Sequence, residues 1–148
     1  MGVTNVWVQT HSDGLVRADQ IVGIEAHRTP ALTGKPANWL LDVVVPSTVS
    51  GAGTGAGITM LHRTLIQTSQ DPADAPVMLA RLLAQLDAIN AAGVIVASHG
   101  QFGRRGAVPD ARGEQSSGDV AVESGVVRFQ FTPFPTPPPG HHTGAEYL

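Results

Sequence analysis

The chain has 148 residues, no cysteine and a formal net charge of −3. This length suits one domain with a sizeable core, and the lack of cysteine excludes disulfides and thiolate metal sites. Charged residues make up 14% of the chain, against about 25% in an average soluble protein. So small and slightly acidic a charge excludes a general electrostatic attraction to nucleic acid or to anionic membranes.

The N-terminus and the apolar runs of the chain indicate where the protein is located. The N-terminal sequence MGVTNVWVQT lacks the basic segment and the apolar core of a signal peptide. No apolar run approaches the ~20 residues of a membrane helix. We therefore expect a soluble protein with no signal peptide and no membrane partner, in the cytoplasm or within an assembled particle. The low charge predicts a surface partly covered by other protein, or one made polar by its many Ser, Thr, Gln and Gly residues.

The beginning of the chain predicts three strands. The first two predicted strands are Val6–Thr10 and Leu15–Arg17, and the segment His11–Gly14 connects them. The Asp-Gly pair of this segment is a strong hairpin signal, because glycine tolerates the positive φ of tight turns. In Ile21–Arg28 apolar and polar side chains alternate, which is typical of a half-buried strand.

A second group of strands is predicted around a glycine-rich segment. Trp39–Val45 is apolar on both faces except at Asp42, which predicts a central strand. Gly51–Gly57 lacks the spacing of a phosphate-binding loop and predicts a flexible surface loop. Ile58–Thr68 is rich in β-branched residues, although its apolar residues also fit one face of a helix. We favour the strand.

The residues after Asp71 predict the main helix. Asp71 is suited to cap it, and Pro72 suits its first turn. Gly93 supplies the C-terminal stop, and Val94–Ala97 predicts a short strand behind it. The helix carries one apolar stripe, which predicts packing against the sheet. The stripe consists of Leu79, Leu82, Leu83, Leu86 and Ile89.

The chain beyond Gly100 combines aromatic residues with many Pro and Gly residues. All four phenylalanines and the only tyrosine lie there, although disordered tails are normally poor in aromatics. Residues 119–131 predict a hairpin. Because isolated hairpins are marginal in water, we expect it to dock on the body of the protein or on a neighbouring subunit. Residues 132–148 predict a proline-rich tail of extended polyproline type.

Together these patterns predict an α+β fold, with an antiparallel sheet of about 4–6 strands and one main packed helix. We place a compact α+β domain at 1–98 and an extended Pro/Gly-rich C-terminal arm at 99–148. The candidate interaction residues of this arm are aromatic anchors and prolines at Pro-x-x-Pro spacing, which groove-binding partners recognise. They are Phe129, Phe131, Phe134, Pro135, Pro138 and Tyr147.

Asp42 is the ionisable residue with the most unusual setting. Its apolar neighbours predict burial, and a buried carboxylate must be paired or have its pKa raised. His27 and His62 are expected to meet across the sheet if both of their segments are strands, with solvent-facing histidines as the simpler account. The candidate partners of Asp42 in a structural ion pair are Arg17, Arg28 and Arg63.

The remaining motifs predict no chemical site. His141 and His142 are adjacent, but a structural metal site needs four ordered ligands. Arg104 and Arg105 beside Phe102 are similar to a fragment of a nucleic-acid-binding loop, yet they are too few for a basic patch. We therefore expect no catalytic, metal or cofactor-binding residue, and no enzyme.

These features favour a non-catalytic structural or assembly protein. It is expected to form homo-oligomers or to join other structural subunits in a larger particle, such as a phage- or capsid-like one, with its arm docked on neighbours. The alternative is a monomeric protein-binding module whose proline-rich tail recruits a partner. A small enzyme with a site near Asp42, His27 and His62 comes third.

Overall fold

The computed structural model describes residues 2–12, 14–49, 57–100, 119–123 and 125–136. Within these ranges eight strands form a five-stranded sheet (sheet A) and a three-stranded sheet (sheet B), accompanied by one α-helix. The α+β class is therefore confirmed. In chain order the elements are β1 (Val6–Gln9), β2 (Leu15–Arg17), β3 (Gly23–Arg28), β4 (Trp39–Val49), β5 (Gly57–Thr68), α1 (Ala75–Ala88), β6 (Gly93–His99), β7 (Val120–Glu123) and β8 (Val127–Pro133).

Sheet A has the strand order β2-β1-β6-β8-β7. Strands β1 and β6 run parallel, while the other neighbours are antiparallel. The parallel pair arises because the chain leaves sheet A after β2, forms sheet B and the helix, and then returns beside β1. The observed arrangement, with two sheets and one parallel pair of strands, thus differs from the single antiparallel sheet expected from the sequence. Periodicity marks a strand and its faces, but it does not identify the neighbours of that strand.

The C-terminal hairpin β7–β8 belongs to sheet A. Strand β8 pairs with β6 over its whole length, from Gly93 opposite Pro133 to His99 opposite Val127, so that it lies between β6 and β7. Its inward side chains are buried with the rest of the core. Of the two placements left open by the sequence, the hairpin thus docks on the body of its own chain.

Sheet B is antiparallel, with β4 in the centre as the apolar pattern predicts. Strands β4 and β5 have 11 and 12 residues, whereas β3 has six. Because β3 begins at Gly23, opposite Val44, β4 and β5 extend past this point as a two-stranded ribbon. We call residues 45–49 and 57–61 the ribbon. The segment after the glycine run is therefore a strand, as favoured from the sequence.

Helix α1 starts later than its sequence signals indicate. Asp71 precedes the helix, where its Oδ1 accepts a hydrogen bond from the Ala73 N–H at 2.9 Å. The proline in the first turn is Pro76, not Pro72. The helix ends before Asn90, which adopts a φ of 50°, so this asparagine occupies the left-handed position expected for a glycine.

The buried stripe of α1 consists of Leu79, Leu82 and Leu86, each no more than 1% exposed. Leu83 is half-buried, whereas Ile89 is 70% exposed and lies beyond the last turn. No described helix is long and apolar enough to cross a membrane.

One hydrophobic core joins the helix to both sheets. Sheet A contributes Val6 and Ile95, sheet B contributes Leu41 and Leu65, and the helix contributes Leu82. All five belong to a single cluster of buried side chains. The far face of sheet B is therefore left for the polar residues described next.

Candidate functional site

The interaction residues predicted from the sequence lie in different environments. Phe129 and Phe131 are 0% and 2% exposed and belong to the core. Phe134 and Pro135 follow β8 directly and are exposed, with the Phe134 N–H donating to the Ala92 carbonyl at 2.9 Å. Two further predicted residues, Pro138 and Tyr147, lie outside the described residues.

Several other motifs singled out in the sequence also lie outside the described residues. They include His141 and His142, the Arg104-Arg105 pair, and the glycine run except for its last residue. Gly57 is the first residue of β5. The one described group of polar side chains that the sequence connects with chemistry is therefore the group around Asp42.

Five polar side chains lie together on the outward face of sheet B, and we call them the polar cluster. Strand β3 contributes Glu25 and His27, β4 contributes Asp42, and β5 contributes His62 and Thr64. Glu25 and Thr64 are the residues directly opposite Asp42 on either side. Because side chains alternate between the faces of a strand, the inward residues Leu41 and Val43 enter the core while Asp42 faces the other way.

Both carboxylate oxygens of Asp42 are hydrogen bonded. Oδ2 lies 2.8 Å from Nε2 of His27, and Oδ1 accepts a hydrogen bond of 2.8 Å from the Thr64 hydroxyl. Asp42 is only 2% exposed, so its burial is confirmed and its polar atoms are satisfied. The histidine and threonine provide the compensation that a buried carboxylate requires.

The expectation of an arginine partner for Asp42 is wrong. Arg17 pairs with Asp19, and Arg28 lies over the ring of Trp39, 5.9 Å from its centroid. Arg63 lies opposite Val43, on the other face of the sheet from Asp42. Strand register thus decides the pairing, because it places a histidine rather than an arginine on the face of the carboxylate.

His62 meets the same carboxylate from the opposite strand. Its Nδ1 lies 3.9 Å from Oδ2 of Asp42 and 3.6 Å from Oε2 of Glu25. His27 and His62 thus flank one buried aspartate, as expected for two histidines that meet across the sheet. Their side chains are both 47% exposed, so each ring is open to solvent on one side.

A β-bulge in β5 aligns Thr64 with Asp42. The register shifts between Leu41, which lies opposite Ile66, and Asp42, which lies opposite Thr64. Leu65 is therefore the extra residue of the bulge, and both Leu65 and Ile66 are buried. The sequence patterns do not indicate Thr64 as a residue of the site. The signal that would have identified it is its position two residues from His62, on the same face of a strand.

The hydrogen bond to Asp42 raises the pKa of His27 above its usual value. The negative charges of Asp42 and Glu25 and a hydrogen bond with the Arg28 backbone act in the same direction, whereas desolvation lowers this pKa. Since the His27 side chain is half exposed, solvent screens these interactions. The pairing nevertheless favours the protonated imidazolium form of His27 beside Asp42.

The polar cluster has the residue types of an acid–base site, but its connections differ from those of a hydrolase triad. A triad needs a hydroxyl or thiol bonded to the imidazole, whereas the Thr64 hydroxyl donates to Asp42. Among the described residues, no group of three His, Cys, Asp or Glu side chains is arranged to hold a metal ion. What this arrangement does is to bring two imidazoles and two carboxylates into contact across three adjacent strands.

Comparison of the chain with models of protein families, with curated proteins and with solved structures gives no match.

Proposed function

We propose that the protein is a non-catalytic assembly protein that forms homo-oligomers, or joins a larger particle, through the ribbon. The observation that carries this proposal is the exposure of three large apolar side chains. Ile58 is 73% exposed, Met60 52% and Leu61 43%. Burial of apolar surface against a partner is favourable by about 25 cal/mol per Å². Covering these side chains with a partner therefore lowers the free energy relative to leaving them in contact with water.

The absence of charge on the ribbon supports the same proposal. None of the residues 45–49 and 57–61 is charged, although exposed strands are normally protected from association by charged side chains, proline or a covering segment. Within the part of the chain that the structure describes, Pro46 is the only one of these protective features on the ribbon. Because proline cannot donate a backbone hydrogen bond, we expect the partner to pack on side chains rather than to add a complete strand to β4.

Both faces of the ribbon carry apolar side chains. Ile58, Met60 and Pro46 share one face, since Pro46 lies opposite Met60, whereas Leu61 and Val45 lie on the other. A partner that covers only one face leaves the other exposed. The ribbon therefore suits insertion between neighbouring subunits, which is the arrangement expected in a ring or shell of like copies.

The start of the C-terminal tail offers a second contact. Phe134 is 47% exposed and Pro135 is exposed, and both directly follow β8. An aromatic ring at the start of an extended segment is a suitable anchor for a neighbouring subunit. This contact keeps the role proposed for the arm, while the buried Phe129 and Phe131 hold the arm to its own body.

We expect substitution of two ribbon residues to abolish self-association. Ile58→Lys with Met60→Lys places charge on one face of the ribbon, where it repels a second copy and resists desolvation. Light-scattering mass after size exclusion is expected to give a defined oligomer for the wild type and a monomer for the double variant. Circular dichroism should be unchanged, because both side chains lie outside the core.

The matched control is Ile89→Lys, which charges an apolar side chain of similar exposure at the end of α1. It is expected to retain the mass of the wild type. A wild type that is monomeric at high concentration contradicts homo-oligomer formation and favours the alternative, a binding module whose proline-rich tail recruits a partner. A double variant with the wild-type mass shows that the ribbon is not the contact.

A further inference from the structure

The polar cluster connects all three strands of sheet B on its outward face. Glu25 and His27 belong to β3, Asp42 to the central β4, and His62 to β5. Through Asp42, the His27 contact at 2.8 Å and the His62 contact at 3.9 Å join the two outer strands to the central one. The His62 contact with Glu25 at 3.6 Å joins the outer strands to each other.

The charges of the cluster alternate when both imidazoles are protonated. His62 then lies between Asp42 and Glu25, and His27 lies beside Asp42 with Glu25 two residues away on the same face. Two positive and two negative charges balance. When the imidazoles lose their protons, two carboxylates remain at directly opposite positions of β3 and β4, and like charges at such positions are destabilising.

The outward face supplies no other charge to this group within the described chain. Its neighbouring positions Leu40, Val44 and Gln67 are uncharged. The turn after β1 contacts β5, where the His11 backbone N–H donates to the Thr64 carbonyl at 2.8 Å. The imidazole of His11 takes part in none of the described ion pairs of the cluster. Arg63 lies on the opposite face. The charge balance of the cluster is therefore set by its own two histidines and two carboxylates.

Strand β3 depends on the cluster more than its neighbours do. It is one of the two edge strands of sheet B, and none of its six residues is fully buried. Ile24 and Ala26 reach the core only as half-buried side chains. A strand with so little buried apolar surface is held mainly by its backbone pairing with β4 and by the polar contacts on its outward face.

We propose that the polar cluster is a proton-operated clasp, which holds β3 on sheet B when His27 is protonated and loosens it when His27 is neutral. This device is independent of the ribbon and of assembly. It makes the stability of β3 on sheet B depend on pH in the range where histidines titrate.

The direction of the pH dependence follows from the raised pKa of His27 in the folded protein. The stabilisation is complete below the unfolded-state pKa of about 6.5 and is lost as the pH rises through the folded-state pKa. Neutral His27 still donates one hydrogen bond to Asp42, so the strand loosens without being released.

The test is amide hydrogen exchange of residues 23–28 in the full chain, measured at about pH 5.5 and about pH 8.5, where histidine is mainly charged and mainly neutral. After correction for intrinsic exchange rates, we expect opening of β3 to be more frequent at the higher pH, because the stabilisation that comes with the raised pKa of His27 is lost there. NMR titration of the imidazoles in the same samples is expected to give a His27 pKa above 6.5.

Two variants separate the clasp from an ordinary hydrogen bond. In Glu25→Gln, which changes an exposed side chain, the pH dependence of β3 opening is expected to shrink while the fold is kept. In Asp42→Asn, the pKa of His27 is expected to fall to its usual value or below it. If Asp42→Asn does not fold, Glu25→Gln and the matching His62→Gln variant carry the test.

Three results overturn the proposal. The first is a frequency of β3 opening in the wild type that is the same at both pH values. In that case the cluster stabilises the sheet without responding to pH. Another is pH-dependent opening that Glu25→Gln and His62→Gln leave unchanged. The third is a pKa of His27 in the wild type that is at or below the usual value for histidine, because the pH dependence then has no source in this pair.

Discussion

A chain cut after Ser98 is expected not to fold. The cut removes β7 and β8, and with them three core side chains that are at most 2% exposed, namely Val127, Phe129 and Phe131. It also leaves β6, a central strand, as an unpaired edge, which favours aggregation. Near-ultraviolet circular dichroism and size exclusion should therefore show an unfolded or aggregated species rather than a compact domain of residues 1–98.

The same expectation holds for one side chain of β8. Phe129→Ala removes a ring that is 0% exposed and should lower the free energy of unfolding by about 3–5 kcal/mol, as for other buried aromatic residues. Its control is Phe134→Ala, which truncates a half-exposed ring just beyond β8 and should cost less than about 1 kcal/mol. Urea unfolding measures both. A soluble, cooperatively folded 1–98 fragment, or equal costs for the two alanine variants, would contradict this account of the hairpin.

Gly93→Ala is expected to be the most damaging single-methyl change in the described chain. Gly93 lies where β6 meets both β1 and β8. A Cβ there would overlap the Thr132 carbonyl oxygen and lie 2.7 Å from the Phe131 ring. Because one obstacle is backbone, β6 and β8 must separate, and the free energy of unfolding should fall by about 3 kcal/mol, the upper part of the range for overpacking.

The matched control is Gly57→Ala, the same change at the first residue of β5. No atom lies within 4 Å of a Cβ built at Gly57, so stability should stay within about 0.5 kcal/mol of the wild type. Thermal unfolding compares the two variants directly. A Gly93→Ala protein with wild-type stability would mean that β6 and β8 are not packed as closely as described.

Sequence patterns predict the local elements of this fold well and their partners poorly. The short strand Leu15–Arg17 has the predicted bounds, and β4 is central as its two apolar faces indicate. The division into two sheets is not predicted, because alternation identifies the buried face of a strand but not the strand beside it. Gly93 illustrates the same limit, since it resembles a helix stop and its role as a close contact depends on a strand far along the chain.

The polar cluster shows where sequence reasoning about a site succeeds and where it ends. The burial of Asp42 follows from its apolar neighbours. The meeting of His27 and His62 is one of two arrangements left open by the sequence, and both side chains also keep the solvent exposure of the simpler one. The prediction of an arginine partner for Asp42 is wrong because it considered charge alone. The register of the strands decides which residue lies beside Asp42 on the outward face of sheet B. Thr64 is aligned by a bulge, and bulges leave no reliable sequence signal.

The parallel pairing of β1 with β6 also has a consequence for how the protein is made. Strand β1 leaves the ribosome first, but its neighbour β6 follows only after sheet B and the helix, and β8 follows later still. Long-range pairing of this kind slows folding, because a large loop must close, at a cost in chain entropy, before the stabilising contacts between the strands form. The nascent chain therefore carries an incomplete sheet A until β8 has left the ribosome, and we expect this sheet to form only then.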